Sequence, residues 1–114
     1  MAKIGELRRG DCVFVRNEHA EGHEMKKSRP GVVISNAAAC RHAPQLQVVY
    51  MSKHNTKPSA YHVGLADGRT VMCEHIYTCD LDRLEWMEHI GEEDMRRIDV
   101  AVERQLQLDA EHRT

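Results

Sequence analysis

The residues best equipped for chemistry lie between His23 and Lys57, where Lys26, Lys27, Arg29, Arg41, Lys53 and Lys57 alternate with His23, His42 and His54. Ammonium, guanidinium and imidazole groups at this density suit the binding of anions, phosphates above all. Within the stretch, Arg29 precedes Pro30, which stiffens the chain at the start of an apolar run, so its guanidinium is held at a strand end. A guanidinium is always charged and can grip two phosphate oxygens at once. Cutting an RNA phosphodiester without a metal asks for more. The ribose 2′-OH attacks the adjacent phosphorus, which needs a proton acceptor at the nucleophile, a proton donor at the 5′-oxygen and positive charge on the phosphorane. Well-tuned acid–base catalysis adds roughly 10²- to 10⁴-fold and one electrostatic donor roughly 10²- to 10³-fold.

The whole chain carries a net charge of −2, which by itself argues against a nucleic-acid partner. The sum conceals two unlike halves. Residues 1 to 62 hold ten Lys/Arg against five Asp/Glu, a net +5, and residues 63 to 114 hold six against thirteen, a net −7. One face can attract a polyanion while another repels it. A solvated charged surface is the commoner meaning of any single Lys pair.

Metal and redox chemistry have less support. Cys12, Cys40, Cys73 and Cys79 are scattered with no Cys-x-x-Cys pair, and read as buried free thiols. His19 and His23 have the i, i+4 spacing of a helical ligand pair, but Gly22 and the polar residues around them mark a loop, where that spacing loses its meaning. No metal and no cofactor is expected.

These groups must be positioned by one core, since 114 residues make a single domain spanning 1–114. Hydrophobic residues at 41% and charged residues at 30% fit a globular protein. No apolar run reaches the roughly 20 residues of a membrane helix, and the start lacks a signal-peptide h-region, so cytoplasm is the expected location and no membrane partner is implied. Strands are expected at Asp11 to Arg16, in Gly31 to Ser35 just after Pro30, at Leu46 to Ser52, Tyr61 to Leu65 and Thr70 to His75, with a short piece at Ile76 to Cys79. Ala66-Asp67-Gly68-Arg69 reads as a hairpin turn. After Gly91 the acids Glu92, Glu93 and Asp94 suit a helix N-terminus. Met95, Ile98, Ala101, Val102, Gln105 and Leu106 then recur at helical spacing, with Arg96, Arg97, Glu103 and Arg104 outward. The expected fold is mainly β (α+β), a barrel or sandwich core with a C-terminal amphipathic helix lying on it.

From Arg8 to about Asp109 the chain resembles the PemK/MazF/Kid toxins of type II toxin–antitoxin systems. The resemblance rests on the ordered series RRGDCVFV, GHEMKKSRPGVVISN, VVYMSK, YHVGL, CEHIYTCDLDRL and IGEEDMRRIDVAVERQLQL. It implies a small SH3-like β-barrel of the CcdB/PemK/MazF type, a homodimer with an RNA groove along the subunit interface, and an endoribonuclease that leaves 2′,3′-cyclic phosphate and 5′-OH ends. It further implies a cognate protein antitoxin whose acidic, apolar tail occupies the groove, and contact with DNA only through that antitoxin.

By the same resemblance, Arg29 matches the catalytic arginine of the Arg-Pro motif. Ser52 matches a strand-ending Thr whose hydroxyl can bond the scissile phosphate or relay a proton. Glu24 matches a loop glutamate near RNA, a general base or base-edge acceptor, and Lys26, Lys27, His23, Lys53, His54 and Lys57 become the RNA-binding loops. Glu74 matches the acid that the Kid branch uses as its base, in a Cys-Asp-Gln segment here written Cys73-Glu74-His75. Departures begin at this segment. Met72 stands where that branch has a catalytic arginine, His75 replaces Gln and Tyr77 replaces a frequent Arg. With an unperturbed pKa of about 6.5, His75 can take over proton transfer. His62, before the hairpin, reads as structural. Two further readings remain: a catalytically weakened RNA-binding member, and a CcdB-like toxin acting on a protein through its C-terminal helix.

Overall fold

The computed structural model describes residues 1–16, 28–53 and 59–108. In chain order it comprises β1 (Asp11–Val15), β2 (Arg29–Val33), α1 (Ala37–His42), β3 (Gln45–Ser52), β4 (His62–Gly64), β5 (Thr70–Asp80), a 3-10 turn at Leu81–Arg83, β6 (Leu84–His89) and α2 (Glu92–Leu106). The strands form one antiparallel sheet in the order β4-β5-β3-β2-β1-β6. The ladder leaves β4 and β6 at its two edges, yet Arg69, at the end of the β4–β5 hairpin, donates to Glu88 of β6 at 2.5 Å. The sheet therefore curls until its first and last strands approach, the barrel-like, mainly β arrangement expected from the sequence.

Alternation along the strands divides the core in two. Val13, Val15, Val33, Leu46, Val48, Tyr50 and Met72 pack on one face, closed by Leu7, Cys40 of α1, Leu81 and Leu84. Cys12, Val32, Val49, Met51, Val63, Val71 and Cys73 pack on the other, beneath Met95, Ile98 and Ala101 of α2. All four cysteines are free and buried. No helix among the described residues is long and apolar enough to cross a membrane.

The hairpin turn lies where the sequence places it. Leu65 N–H donates to the Arg69 carbonyl at 2.8 Å and Gly68 N–H to the Leu65 carbonyl at 3.1 Å, with Gly68 at φ 93° where a side chain would be strained. Helix α2 starts after Gly91 and ends in a left-handed Gln107, whose N–H reaches the Arg104 carbonyl while Leu108 N–H reaches that of Glu103. Its buried stripe is Met95, Ile98 and Ala101, whereas Leu106 of the expected stripe is exposed.

Three expectations are corrected. Strand β2 begins at Arg29 and takes in Pro30, which pairs with Phe14; the ladder to β3 starts only at Gly31, so the missing donor falls at a ladder end, where proline is tolerated. The two pieces foreseen over Thr70 to His75 and Ile76 to Cys79 are one strand of eleven residues, interrupted by a shift that pairs Tyr50 with Met72 but Val49 with Ile76. Helix α1 and strand β6 were not foreseen. The first is a six-residue piece capped by Asn36, whose side-chain oxygen accepts from Ala39 N–H at 2.9 Å. The second, Leu-Glu-Trp-Met-Glu-His, buries only Leu84 and shows no alternation because it is an edge strand.

Candidate active site

Register places the first pair of candidate residues. Val15 pairs with Arg29, Ser52 with Thr70, and Gly64 with Thr70. The β2–β3 ladder ends at Gly31–Tyr50, and Arg29 and Ser52 lie two residues beyond that pair on their respective strands. Two paired rows, Val15–Arg29 and Ser52–Thr70–Gly64, thus lie at this end of the sheet, and the β2–β3 ladder between them runs only as far as Gly31–Tyr50. Directly opposed residues in an antiparallel pair share a face, as do residues two apart on a strand, so Arg29 and Ser52 project from the same side.

Both side chains are partly buried and Lys53, the next residue, is exposed. Among the described residues Arg29 forms no ion pair, whereas Arg9, Arg16, Arg69 and Arg97 each engage a carboxylate. Thr70 is the member of the Ser52 row that sequence reasoning missed. It is a buried polar residue, and only the β3–β5 register reveals that it stands beside Ser52.

The close approach of β2 and β3 depends on Gly31. A Cβ there would lie 2.4 Å from Val48 Cγ1 and 2.8 Å from the Val49 carbonyl oxygen, so a larger residue would push β3 away and shift Ser52 relative to Arg29.

Glu74 belongs to a second cluster. His62 Nε2 lies 3.0 Å from each of its carboxylate oxygens, and His75 Nε2 lies 3.9 Å from Oε1. Two imidazoles thus flank one carboxylate. Gln105 of α2 donates to the Glu74 carbonyl at 3.4 Å. His75 lies parallel to Tyr77 with ring centroids 6.5 Å apart, and Tyr77 stacks on buried Tyr50 at 4.4 Å. The sequence-predicted site residues therefore fall into two groups within the protomer, Arg29 with Ser52 and Lys53, and Glu74 with His75. His62 joins the second group as the direct partner of Glu74. Arg29 on β2 and Glu74 on β5 are separated by β3, the strand that carries Ser52 and pairs with β5.

Glu24, His23, Lys26, Lys27, His54 and Lys57 lie outside the described residues, as does His19. Among the described residues no group of three or more His, Cys, Asp or Glu is arranged to hold a metal ion. Cysteine is a poor nucleophile here: burial pushes the Cys12 thiol up to about 11, and burial with the neighbouring Glu74 charge pushes Cys73 up to about 12. The remaining strong ionic contacts brace the scaffold. Arg9 ties the segment before β1 to Asp99 of α2, and this bond raises the Arg9 pKa. Hydrogen bonds from Arg69 hold the Asp67 carboxyl below its ordinary range. Buried Asp11 accepts from Arg8 N–H at 2.7 Å and contacts His89 Nδ1 at 2.8 Å, fixing the turn into β1.

The fold has counterparts among solved structures. An endoribonuclease from Mycobacterial species, in complex with its cognate antitoxin, superposes with a TM-score of 0.75 at 20% identity, covering 89% of this chain and 95% of that one. A second endoribonuclease from Mycobacterial species gives 0.74 at 16% identity, covering 92% and 96%. MazF from Deinococcus radiodurans gives 0.72 at 20% identity, covering 87% and 94%. At such identities the likeness establishes the fold. No individual curated protein matches at a significant level. A family model described as PemK-like, MazF-like toxin of type II toxin–antitoxin system matches residues 8–106, most of the chain, and the chain therefore belongs to this toxin family.

Proposed function

We propose that the protein is a metal-independent endoribonuclease toxin that cleaves single-stranded RNA by 2′-OH attack, leaving 2′,3′-cyclic phosphate and 5′-OH ends. The observation that carries this is that Arg29 and Ser52 each lie two residues beyond the Gly31–Tyr50 pair at one end of the β2–β3 ladder, with Arg29 in no ion pair among the described residues. A guanidinium so placed can take the charge that accumulates on the phosphorane oxygens, and the Ser52 hydroxyl can bond or orient the same phosphate. Lys53 extends the positive surface toward the neighbouring phosphate. Proton transfer falls to the carboxylates and imidazoles: Glu24, or Glu74 and His75.

The partners proposed are single-stranded RNA, a cognate antitoxin and a second copy of the chain, with DNA reached only through the antitoxin. The mycobacterial neighbour solved with its antitoxin supports the second of these, and the cytoplasm is where such a toxin meets its substrate. The full chain, purified and mixed with single-stranded RNA in excess chelator, should yield cyclic-phosphate fragments, and mapping of their 5′ ends gives the cleaved motif. Intact RNA, or cleavage that chelator abolishes, overturns the proposal.

A second reading has one observation in its favour. The Glu74 carboxylate is engaged through both oxygens by His62, and Met72 supplies no cation beside it. A member in which that acid has become structural would bind RNA without cutting it. RNA retention with no cyclic-phosphate product distinguishes this reading from the first.

A further inference from the structure

Two aromatic side chains of β5 stay open to solvent where the strand rejoins β3 after its register shift. The ring planes of His75 and Tyr77 differ by only 1°, with centroids 6.5 Å apart. Tyr77 also stacks on buried Tyr50, at 4.4 Å between centroids. The wider spacing means that the faces of His75 and Tyr77 are not spent on one another. The His75 side chain is 41% exposed and Tyr77 37%, so both present surface to an incoming ring. Each is also steadied by a neighbour: Tyr50 lies against Tyr77, and a Glu74 oxygen lies 3.9 Å from His75 Nε2.

Strand register relates these rings to the candidate phosphate site. Tyr77 pairs with Val48, and Val48, Tyr50 and Ser52 alternate onto one face of β3. Opposed residues share a face, so Tyr77 projects from the same side as Ser52, about 13 Å from it along the strand direction.

We infer that His75 and Tyr77 form a stacking platform for one base of the RNA, a purine in preference to a pyrimidine, a few nucleotides along from the phosphate that Ser52 contacts. The inference rests on the RNA reading and adds to it the residues that choose a base. Single-stranded RNA is commonly held by bases splayed out onto aromatic rings of a sheet, and a ring already fixed in place costs little further ordering when a base arrives. A flat base meets two parallel rings in one orientation, and the larger purine covers more of them than a pyrimidine does. An aliphatic side chain from a protein partner would gain nothing from the parallel alignment.

The test uses the full chain and a short oligodeoxyuridylate with one central 2-aminopurine, a fluorescent purine that is quenched when it stacks. Lacking a 2′-OH, the oligonucleotide is bound without being cut. Its fluorescence should fall on binding, and it should bind roughly fivefold more tightly than the all-uridine strand. His75→Leu and Tyr77→Leu should each abolish the quenching and bring the two affinities together. His75→Phe and Tyr77→Phe, which keep a flat ring and lose the imidazole or the hydroxyl, should retain both signals. Thermal melts accompany each variant; because His75 is not part of the buried core, its two substitutions decide the matter even if Tyr77→Leu loosens the contact with Tyr50. Unquenched fluorescence, equal affinity for the two strands, or a purine preference that survives the leucine substitutions overturns the proposal. Loss of both signals in the phenylalanine variants does so as well, since edge hydrogen bonding rather than stacking would then choose the base. The readout is independent of catalysis, so a protein that stacks the purine and cuts no RNA refutes the nuclease proposal alone.

Discussion

His62 Nε2 sits 3.0 Å from both carboxylate oxygens of Glu74, so a residue of the short edge strand β4 pins the acid projected by the irregular part of β5. Both side chains are largely shielded, at 18% and 30% exposure, and a charge-assisted contact in such a setting is stronger than a surface pair. His62→Ala and Glu74→Gln should each destabilise the fold, and a double-mutant cycle by urea unfolding should give a coupling of about 1 kcal/mol. Strictly additive losses would mean the contact does not hold β4 to β5.

Arg29→Ala should reduce RNA cleavage by roughly 100-fold with stability unchanged to within about 0.5 kcal/mol, because the side chain contributes charge at a strand end rather than packing. Arg29→Lys should recover only part of the activity, since an ammonium cannot grip two phosphate oxygens in a planar fork. Single-turnover cleavage and a thermal melt on the same preparations check both; full activity in the alanine variant removes Arg29 from the site.

At position 52 the hydroxyl should matter and the methyl should not. Ser52→Ala is expected to lose about tenfold in rate, the worth of one hydrogen bond, and Ser52→Thr to stay within about twofold. Equal rates for all three would assign the phosphate contact elsewhere in the row, with Thr70 the first alternative.

Gly31→Ala tests whether strand spacing sets the site. The added methyl meets Val48 Cγ1 and the Val49 carbonyl inside van der Waals distance, so the variant should lose about 1–3 kcal/mol and should cleave more slowly even where it remains folded. Gly64→Ala, where a Cβ meets no heavy atom within 4 Å, is the matched control. Similar melts for the two would show that β2 and β3 have slack.

The buried thiols predict an alkaline limit. Cys12 is held at about 11 and Cys73 at about 12, against 9.0 for an ordinary thiol, so the folded state keeps protons that the unfolded state gives up. That contribution to stability is whole below pH 9 and is lost as pH rises through 11 and 12. The urea midpoint should fall over this range, and less steeply in C12A/C73A. Iodoacetamide at pH 8 should label neither thiol before unfolding; rapid labelling of the native protein would contradict their burial.

The sequence carries some of this plainly and hides the rest for physical reasons. Strands β1 and β3, the Asp67-Gly68 turn and α2 announce themselves through local signals: β-branched runs, a turn pair, and helical spacing after an acidic first turn. Helix α1 is too short to show a period, and β6 faces solvent along most of its length, so neither leaves a hydrophobic pattern. Arg29 was legible from Pro30 beside it. The face it shares with Ser52, and the pairing of Ser52 with Thr70, depend on a register fixed by pairings far apart in the chain. The His62–Glu74 contact likewise required the β4–β5 hairpin to be in place, although both residues were visible as candidates.

Between Tyr50–Met72 and Val49–Ile76, three consecutive residues of β5, Cys73, Glu74 and His75, are stepped over by β3. Positions released from the ladder can exchange one functional group for another without disturbing the alignment of the strands around them. A scaffold with such a stretch can change side chains there while leaving the paired rows on either side untouched, and this is where the chain carries Glu74 and His75.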